Sequence, residues 1–338
     1  MRSDRFARVT APIKYSVVIP VYNNAGSIPE LVYRLDEIST SLGDRMEAVF
    51  VVDGSPDNSY DVIAEMTSEM SFDVQLMRHS RNFGSFAAIR TGLRAARGDF
   101  MAVMAADLQE PPELVLEFFR LLAGDFADVT VGRREARDDP ALSRWSSGMF
   151  WRIYRRTVFP DMPEGGVDIF ACTRAVMEEI TALPEAHSSL VGLLYWIGYR
   201  RLEVPYQRRK REHGESGWSF RKKVRYLSDS VFSFTDLPLT VLTTVGVVGG
   251  IATVVAALAV IASFLVGGIR APGYTPLMLV ILFSTFSLLV ALGIVGSYVW
   301  RTFENTKQRP GSIVMARSIQ TPEGRVVSEA VLHDRINA

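Results

Sequence analysis

Two unbroken apolar stretches near the C-terminus, Leu239–Ile269 and Leu277–Trp300, constrain this chain more than any other feature. Each is longer than the roughly 20 residues a helix needs to cross the hydrocarbon core of a bilayer. Neither contains a charged residue, and only Arg270–Pro276 separates them. The expectation is a membrane hairpin. The alternative is a pair of buried core helices, which rarely run so long without a polar face. Arg221, Lys222, Lys223 and Arg225 precede the first stretch and Arg301, Lys307 and Arg309 follow the second, whereas the connection carries only Arg270. The positive-inside bias then places both flanks, and the large N-terminal part with them, on the cytoplasmic side. A domain tethered in this way points to a lipid substrate.

The length of 338 residues allows one substantial domain besides the hairpin. Lys and Arg balance Asp and Glu at a formal net charge of +0, which argues against a general nucleic-acid binder. The single cysteine, Cys172, excludes an internal disulfide framework and fits a reducing compartment. Met1–Pro12 is polar and unlike a signal peptide, so insertion is expected to rely on the hairpin.

Before the hairpin, strand and helix signals alternate. Tyr15–Pro20, Ala48–Asp53, Val74–Met77, Asp99–Ala106 and Ala127–Gly132 read as strands. Ser27–Leu42, Ser85–Arg97 and a segment opening at Pro111–Pro112 read as helices. This spacing predicts an α/β domain around a mainly parallel, doubly wound sheet. Ligands of such sheets bind beyond the carboxyl ends of the strands, where Asp53 and Asp107 fall. Asp138–Phe159 differs: Trp145, Met149, Ile153 and Tyr154 share a helical stripe among Arg144, Arg152, Arg155 and Arg156. It suits either a lipid headgroup layer or packing on the domain with its arginines in water.

No phosphate-binding G-x-x-x-x-G-K-[ST] loop and no G-x-G-x-x-G after a strand is present, which disfavours NTPase and dehydrogenase readings. An ordered series remains: V-V-I-P-V-Y-N-N at Val17–Asn24, V-V-D-G-S-P-D at Val51–Asp57, S-R-N-F-G at Ser80–Gly84 and A-A-D-L-Q-E-P-P-E at Ala105–Glu113. G-V-D-I-F at Gly166–Phe170, R-R-K-R-E-H-G-E-S at Arg208–Ser216 and K-Q-R-P-G-S-I-V at Lys307–Val314 complete it. In an extended segment, residues two apart face one side, so Asp107 and Gln109 are expected to present two oxygens to one hard cation.

Taken together, the series resembles the family-2 glycosyltransferases of GT-A fold, and within them the polyisoprenyl-phosphate glycosyltransferases. That group includes dolichol-phosphate mannose synthases and bacterial undecaprenyl-phosphate sugar transferases with a C-terminal membrane hairpin. The resemblance implies inverting transfer of one sugar from a nucleoside diphosphate to a polyprenyl phosphate. It implies donor contacts at Pro20, Tyr22, Asn24, Asp53, Arg81, Asn82 and Gly84, and Mg2+ or Mn2+ held by Asp107 and Gln109. It places Arg208, Arg211 and Ser216 on the acceptor phosphate and gives Asp107 and Asp168 catalytic positions, Asp168 as an orienting residue with base character. Four positions depart from the family pattern: Ala105 replaces an acidic residue of D-x-D, Val52 the first Asp of D-D-G-S, Asn24 an acidic residue after Y-N, and Gly217 the lysine that often follows G-E-S. Ala105 weakens the expected metal dependence, Val52 and Asn24 suggest an altered nucleotide pocket, and these three together keep open an inactive membrane scaffold; a transferase acting on a growing glycan is a separate alternative.

The expected organisation is a cytoplasmic GT-A domain over 1–218, a juxtamembrane segment over 219–238, spans over 239–269 and 277–300, and a cytoplasmic tail over 301–338. Expected partners are a nucleoside-diphosphate sugar, a polyprenyl phosphate and the inner membrane. A second copy of the chain is admitted by small pairs such as Gly246 and Gly250.

Overall fold

In the computed structural model of the chain, the described residues are 12–134, 148, 151–152, 154–163, 166–183, 189–208, 220–265, 274–322 and 326–329. They form two compact units. The first joins Met1–Pro184 and Ser189–Ser219 to Pro310–Ala338, and the second is chiefly Phe220–Arg309.

The first unit is built on a nine-stranded sheet. Its strands are β1 (Tyr15–Val21), β2 (Met46–Val52), β3 (Asp73–His79), β4 (Phe100–Val103), β5 (Val129–Arg134), β6 (Phe170–Thr173), β7 (Arg201–Tyr206), β8 (Val314–Gln320) and β9 (Val326–Glu329). Their order is β7-β5-β6-β4-β1-β2-β3-β8-β9. β1 pairs parallel with β2 and β4, β2 with β3, and β5 with β7, whereas β6 and β8 run against their neighbours. Helices α1 (Ile28–Leu42), α2 (Ser59–Met66), α3 (Ser85–Ala95), α4 (Pro112–Ala123), α5 (Arg174–Ala182) and α6 (Leu190–Trp196) accompany the sheet.

The continuous apolar run of β2 is buried along its whole length because both faces of the sheet are covered. On one face Leu31, Leu35 and Ile38 of α1 and Phe118, Phe119 and Leu122 of α4 pack with Val17, Ile19 and Phe50. On the other lie Val18 and Val51, against which α3 closes at Gly92, where a Cβ would come within 2.3 Å of Val18 Cγ1. Buried Glu47 ties the opposite end of the sheet together, accepting from Ser16 Oγ at 2.7 Å, Gln75 Nε2 at 3.0 Å and Arg97 Nε at 2.8 Å.

The five expected strands are present, so the α/β, GT-A-like reading of the fold stands. The segment expected as a tail differs. Residues 314–320 and 326–329 are the last two strands, and β8 runs antiparallel to β3, pairing Val74 with Gln320 and Arg78 with Ala316. The physical reason is an open β3 edge, which Arg317 also binds through its Nη2 on Gln75 Oε1 at 2.8 Å. Within the expected helix over Asp138–Phe159, Tyr154 is fully buried and edge-on to Trp151, while Arg152 and Arg156 are exposed. Residues 135–147 of that segment lie outside the described residues.

The second unit holds α7 (Phe220–Phe234), α8 (Leu237–Leu265) and α9 (Tyr274–Thr306). Among the described residues, Phe283–Thr306 of α9 is long and apolar enough to cross a membrane by itself. Leu227–Phe234 and Leu237–Gly249, bent by 76°, meet the same test as a pair. On α9, Phe283, Leu288 and Leu292 are 69%, 70% and 68% exposed, an apolar surface suited to lipid rather than to a buried core of this chain. Arg301 joins α9 to α7 through Asp229 at 2.7 Å, its guanidinium 5.1 Å from the Phe232 ring centroid. The turn between α8 and α9 falls outside the described residues.

Candidate functional site

The carboxyl ends of β1–β5 and β7 share one edge of the sheet. Because β6 and β8 are reversed, the residues just before them, Asp168 and Ser312, come to that edge as well. Strand direction alone thus collects the chemistry-bearing residues of distant motifs.

The segments expected on the donor side interlock. Asn23 takes the left-handed conformation at φ 56°, which asparagine tolerates, and its N–H donates to Ser55 Oγ at 2.8 Å. The Asn24 N–H reaches Ser59 Oγ at 3.2 Å, and the Asn24 side-chain oxygen accepts from the Tyr22 N–H at 3.2 Å. Asp57 gathers Ser55 Oγ, Ser59 Oγ and the Ala25 N–H. Burial raises the Asp57 carboxyl, but these hydrogen bonds outweigh it and hold the group below its ordinary range. Pro20 pairs with Val51 and lies beyond the last β4 pairing at Val18, where a missing N–H costs that ladder nothing. Tyr22 is about half exposed at the rim.

Asp53 is buried, and its carboxylate faces the loop after β3. Oδ1 accepts from the Phe83 N–H at 2.9 Å and contacts His79 Nδ1 at 2.7 Å, while Oδ2 accepts from the Gly84 N–H at 2.7 Å. Gly54, at φ +58°, lies so close to this loop that a Cβ would meet the Arg81 carbonyl carbon at 2.3 Å. Arg81 donates to the Asn82 carbonyl at 3.1 Å and stacks over the Phe83 ring at 4.0 Å. Asp53, Arg81, Asn82 and Gly84 are therefore brought together, with Asp53 gripping the loop that carries the others.

The second half of the site follows β4. Asp107 and Gln109 do not lie in an extended segment: Leu108 between them is left-handed at φ 56°. A turn rather than strand alternation juxtaposes them, with the Gln109 N–H 3.4 Å from Asp107 Oδ1. Gln109 Oε1 accepts from Arg208 Nη2. Asp168 Oδ2 accepts from Arg134 Nη2 and from the Tyr206 hydroxyl at 3.2 Å. Glu110 lies between the two groups, only 1% exposed, with Oε2 lacking a hydrogen-bond partner among the described residues. Burial first, and then the Asp107 carboxylate, push Glu110 up to about 7, against the pull of Arg208 and Arg134. Burial, with Glu110 nearby, also raises the Tyr206 phenol.

Asp107, Gln109, Asp168 and Arg208 are thus joined through Glu110, Arg134 and Tyr206, which sequence reasoning did not single out. Glu110 stood within a quoted motif. Arg134 and Tyr206 close β5 and β7, and only the strand order reveals them. Arg211 and Ser216 lie outside the described residues.

The profile of "Glycosyl transferase family 2" matches residues 16–181. A similar protein, "Uncharacterized glycosyltransferase sll0501" of Synechocystis sp., is 32% identical over 88% of this chain and 93% of its own length. "Uncharacterized glycosyltransferase YkcC" of Bacillus subtilis is 30% identical over 89% and 93%. "Putative glycosyltransferase CsbB" of the same organism is 29% identical over 90% and 92%. The chain belongs to glycosyltransferase family 2.

As a family-2 glycosyltransferase it uses a nucleotide sugar. The donor set after β4 offers a divalent cation one carboxylate, Asp107, and one amide oxygen, Gln109. Among the described residues no group of three His, Cys, Asp or Glu side chains converges to hold a metal. That set fits Mg2+ or Mn2+ only when diphosphate oxygens and water complete the coordination, a mode magnesium commonly adopts.

Proposed function

We propose that this glycosyltransferase moves one sugar from a nucleoside diphosphate to a polyprenyl phosphate at the cytoplasmic face of the inner membrane, with inversion. The observation that carries the acceptor class is the state of Asp168. Its Oδ2 accepts from Arg134 and Tyr206, which hold the carboxylate in place as an orienting group. A phosphate monoester is already ionised near pH 7 and needs no strong base. The site suits such a nucleophile, with Asp168 as an orienting residue.

In this reading a lipid phosphate oxygen attacks the anomeric carbon, the bond from that carbon to the diphosphate breaks, and the nucleoside diphosphate leaves with the electron pair. Arg208 can engage two phosphate oxygens at once, with Arg211 and Ser216 as its expected companions. Asp107 and Gln109 stand at the leaving diphosphate, where a divalent cation would neutralise developing charge when bound. Pro20, Tyr22 and Asn24 border the donor, and loop 80–84 lies against the nucleotide.

Chain topology supports the membrane arrangement. Residues on both sides of α7–α9 belong to the same sheet-bearing unit, so the helices cross an even number of times. With the basic flanks inside, a two-span hairpin leaves the catalytic domain and both termini in the cytoplasm.

The test is product formation by purified protein in lipid discs. Undecaprenyl phosphate is supplied with UDP-, GDP- and dTDP-sugars, with and without Mg2+ or Mn2+. A lipid-linked monosaccharide from one donor is the expected product. Transfer only to a preformed glycan overturns the acceptor assignment, and no turnover of any donor favours the scaffold.

A further inference from the structure

A hydrogen-bond chain runs from the segment that follows the membrane helices to the donor loop. Ser312 Oγ lies 2.7 Å from Thr91 Oγ1 on α3, and Thr91 Oγ1 lies 3.0 Å from His79 Nε2. His79 Nδ1 lies 2.7 Å from Asp53 Oδ1, and Asp53 holds the amides of Phe83 and Gly84. His79 is 1% exposed and Asp53 is 3% exposed. The chemistry of the partners fixes the His79 end of the chain. A carboxylate only accepts, so His79 Nδ1 carries a hydrogen, and the Thr91 hydroxyl, which also reaches the Ala87 carbonyl at 3.0 Å, sits between His79 Nε2 and Ser312 Oγ.

The backbone makes the same connection independently. The Ser80 N–H donates to the Ile313 carbonyl at 3.0 Å. The β3–β8 register shifts between Arg78 and His79, which brings Val314 rather than Met315 opposite His79. Such irregularities re-aim side chains near functional sites, and this one falls at the residue that bridges Asp53 and Thr91.

We propose that Ser312 and Thr91 are positioning residues for the donor nucleotide, acting through His79 and Asp53 to hold loop 80–84. The strand returning from the membrane thereby completes the donor pocket. The inference rests on the reading of loop 80–84 as nucleotide-facing. Its selectivity follows from geometry: the chain ends on the amides of Phe83 and Gly84 and on the Arg81 side chain stacked on Phe83, not on the cluster around Arg208 and Asp168.

The experiment uses the full chain in lipid discs, with binding of UDP, GDP and dTDP measured by calorimetry. Donor and polyprenyl phosphate KM values and the melting temperature are recorded alongside. Thr91→Val and Ser312→Ala each weaken binding of the preferred nucleotide about 3- to 10-fold, as expected for one lost hydrogen bond. The double variant is no weaker than the weaker single one, because both cut the same chain. Thr91→Ser restores affinity, and the polyprenyl phosphate KM stays at the wild-type value. If the wild type binds a nucleotide and the variants bind it equally, the positioning role is overturned while the donor reading stands. A common loss of donor affinity, acceptor affinity and melting temperature reduces the chain to a structural one and also overturns it. A wild type that binds none of the three nucleotides overturns the donor reading, and this inference with it.

Discussion

In the proposed reading Asp107 is the carboxylate at the leaving diphosphate, with Ala105 in place of its usual companion. Asp107→Asn keeps the side chain's shape and removes the charge. Sugar transfer by this variant is expected to fall by about 100-fold or more, with the protein still folded, a loss typical of removing one electrostatic contact at a transition state. Glu110 supports a different prediction. With a carboxyl raised from 4.5 to about 7, the folded protein holds a proton across that window that the unfolded chain has released. Glu110's contribution to stability therefore falls as pH rises from 4.5 to about 7 and is level above it. Glu110→Gln removes this slope and raises stability at pH 8 by about 2–3 kcal/mol, measured by denaturant unfolding with chelator and without nucleotide. Asp53 and Asp107 were legible in the sequence because an acidic residue closing an apolar strand marks a sheet end. Glu110 was not, because its character comes from burial in the folded domain and from charges that include Arg134 and Arg208, far from it in the chain. The pairing of Asp107 with Gln109 was anticipated for the wrong local reason: the left-handed Leu108, not strand alternation, sets it.

At the scale of elements, the strands that could be read were those with continuous β-branched or apolar runs, β1 to β5. Those that escaped were short or charged. β6 is only four residues, β7 includes Arg201, Glu203 and Pro205, and β8 carries Arg317. Such strands owe their place to a neighbour's open edge rather than to their own pattern. Without β6 and β7 the link from Asp168 to Tyr206 could not be foreseen, so the acidic half of the site was recognisable only as separate motifs. The ends of the elements also decide stability. Glu47 joins β1, β2, β3 and the turn after α3 from a fully buried position. Glu47→Ala leaves Arg97 and its neighbours without their common acceptor. It is expected to cost about 3 kcal/mol or more, read as a lowered unfolding midpoint, with nucleotide affinity of the folded fraction unchanged.

For the molecule as a whole, the apolar helices were the plainest part of the sequence, while the reunion of the two flanks in one sheet was invisible in it. That reunion makes the topology testable with little interference. Cys172 is fully buried and its thiol is pushed up to about 12 by burial, so the native chain is inert to maleimides. In intact spheroplasts, a membrane-impermeant maleimide is expected to label Ala271→Cys and to leave Ser3→Cys and Ala338→Cys untouched until the cells are opened. Labelling of Ser3→Cys on intact cells would refute the cytoplasmic placement. The return of the chain to β3 also governs how the protein is made. β8 is translated after both apolar helices, so a ribosome that has just finished the hairpin holds a domain with the N–H and C=O groups of β3 still open to other chains. In the proposed membrane arrangement, insertion into the bilayer precedes completion of the fold. A nascent chain halted at Arg309 remains adhesive for its lifetime, and the last stretch synthesised acts as the protein's own safeguard against aggregation.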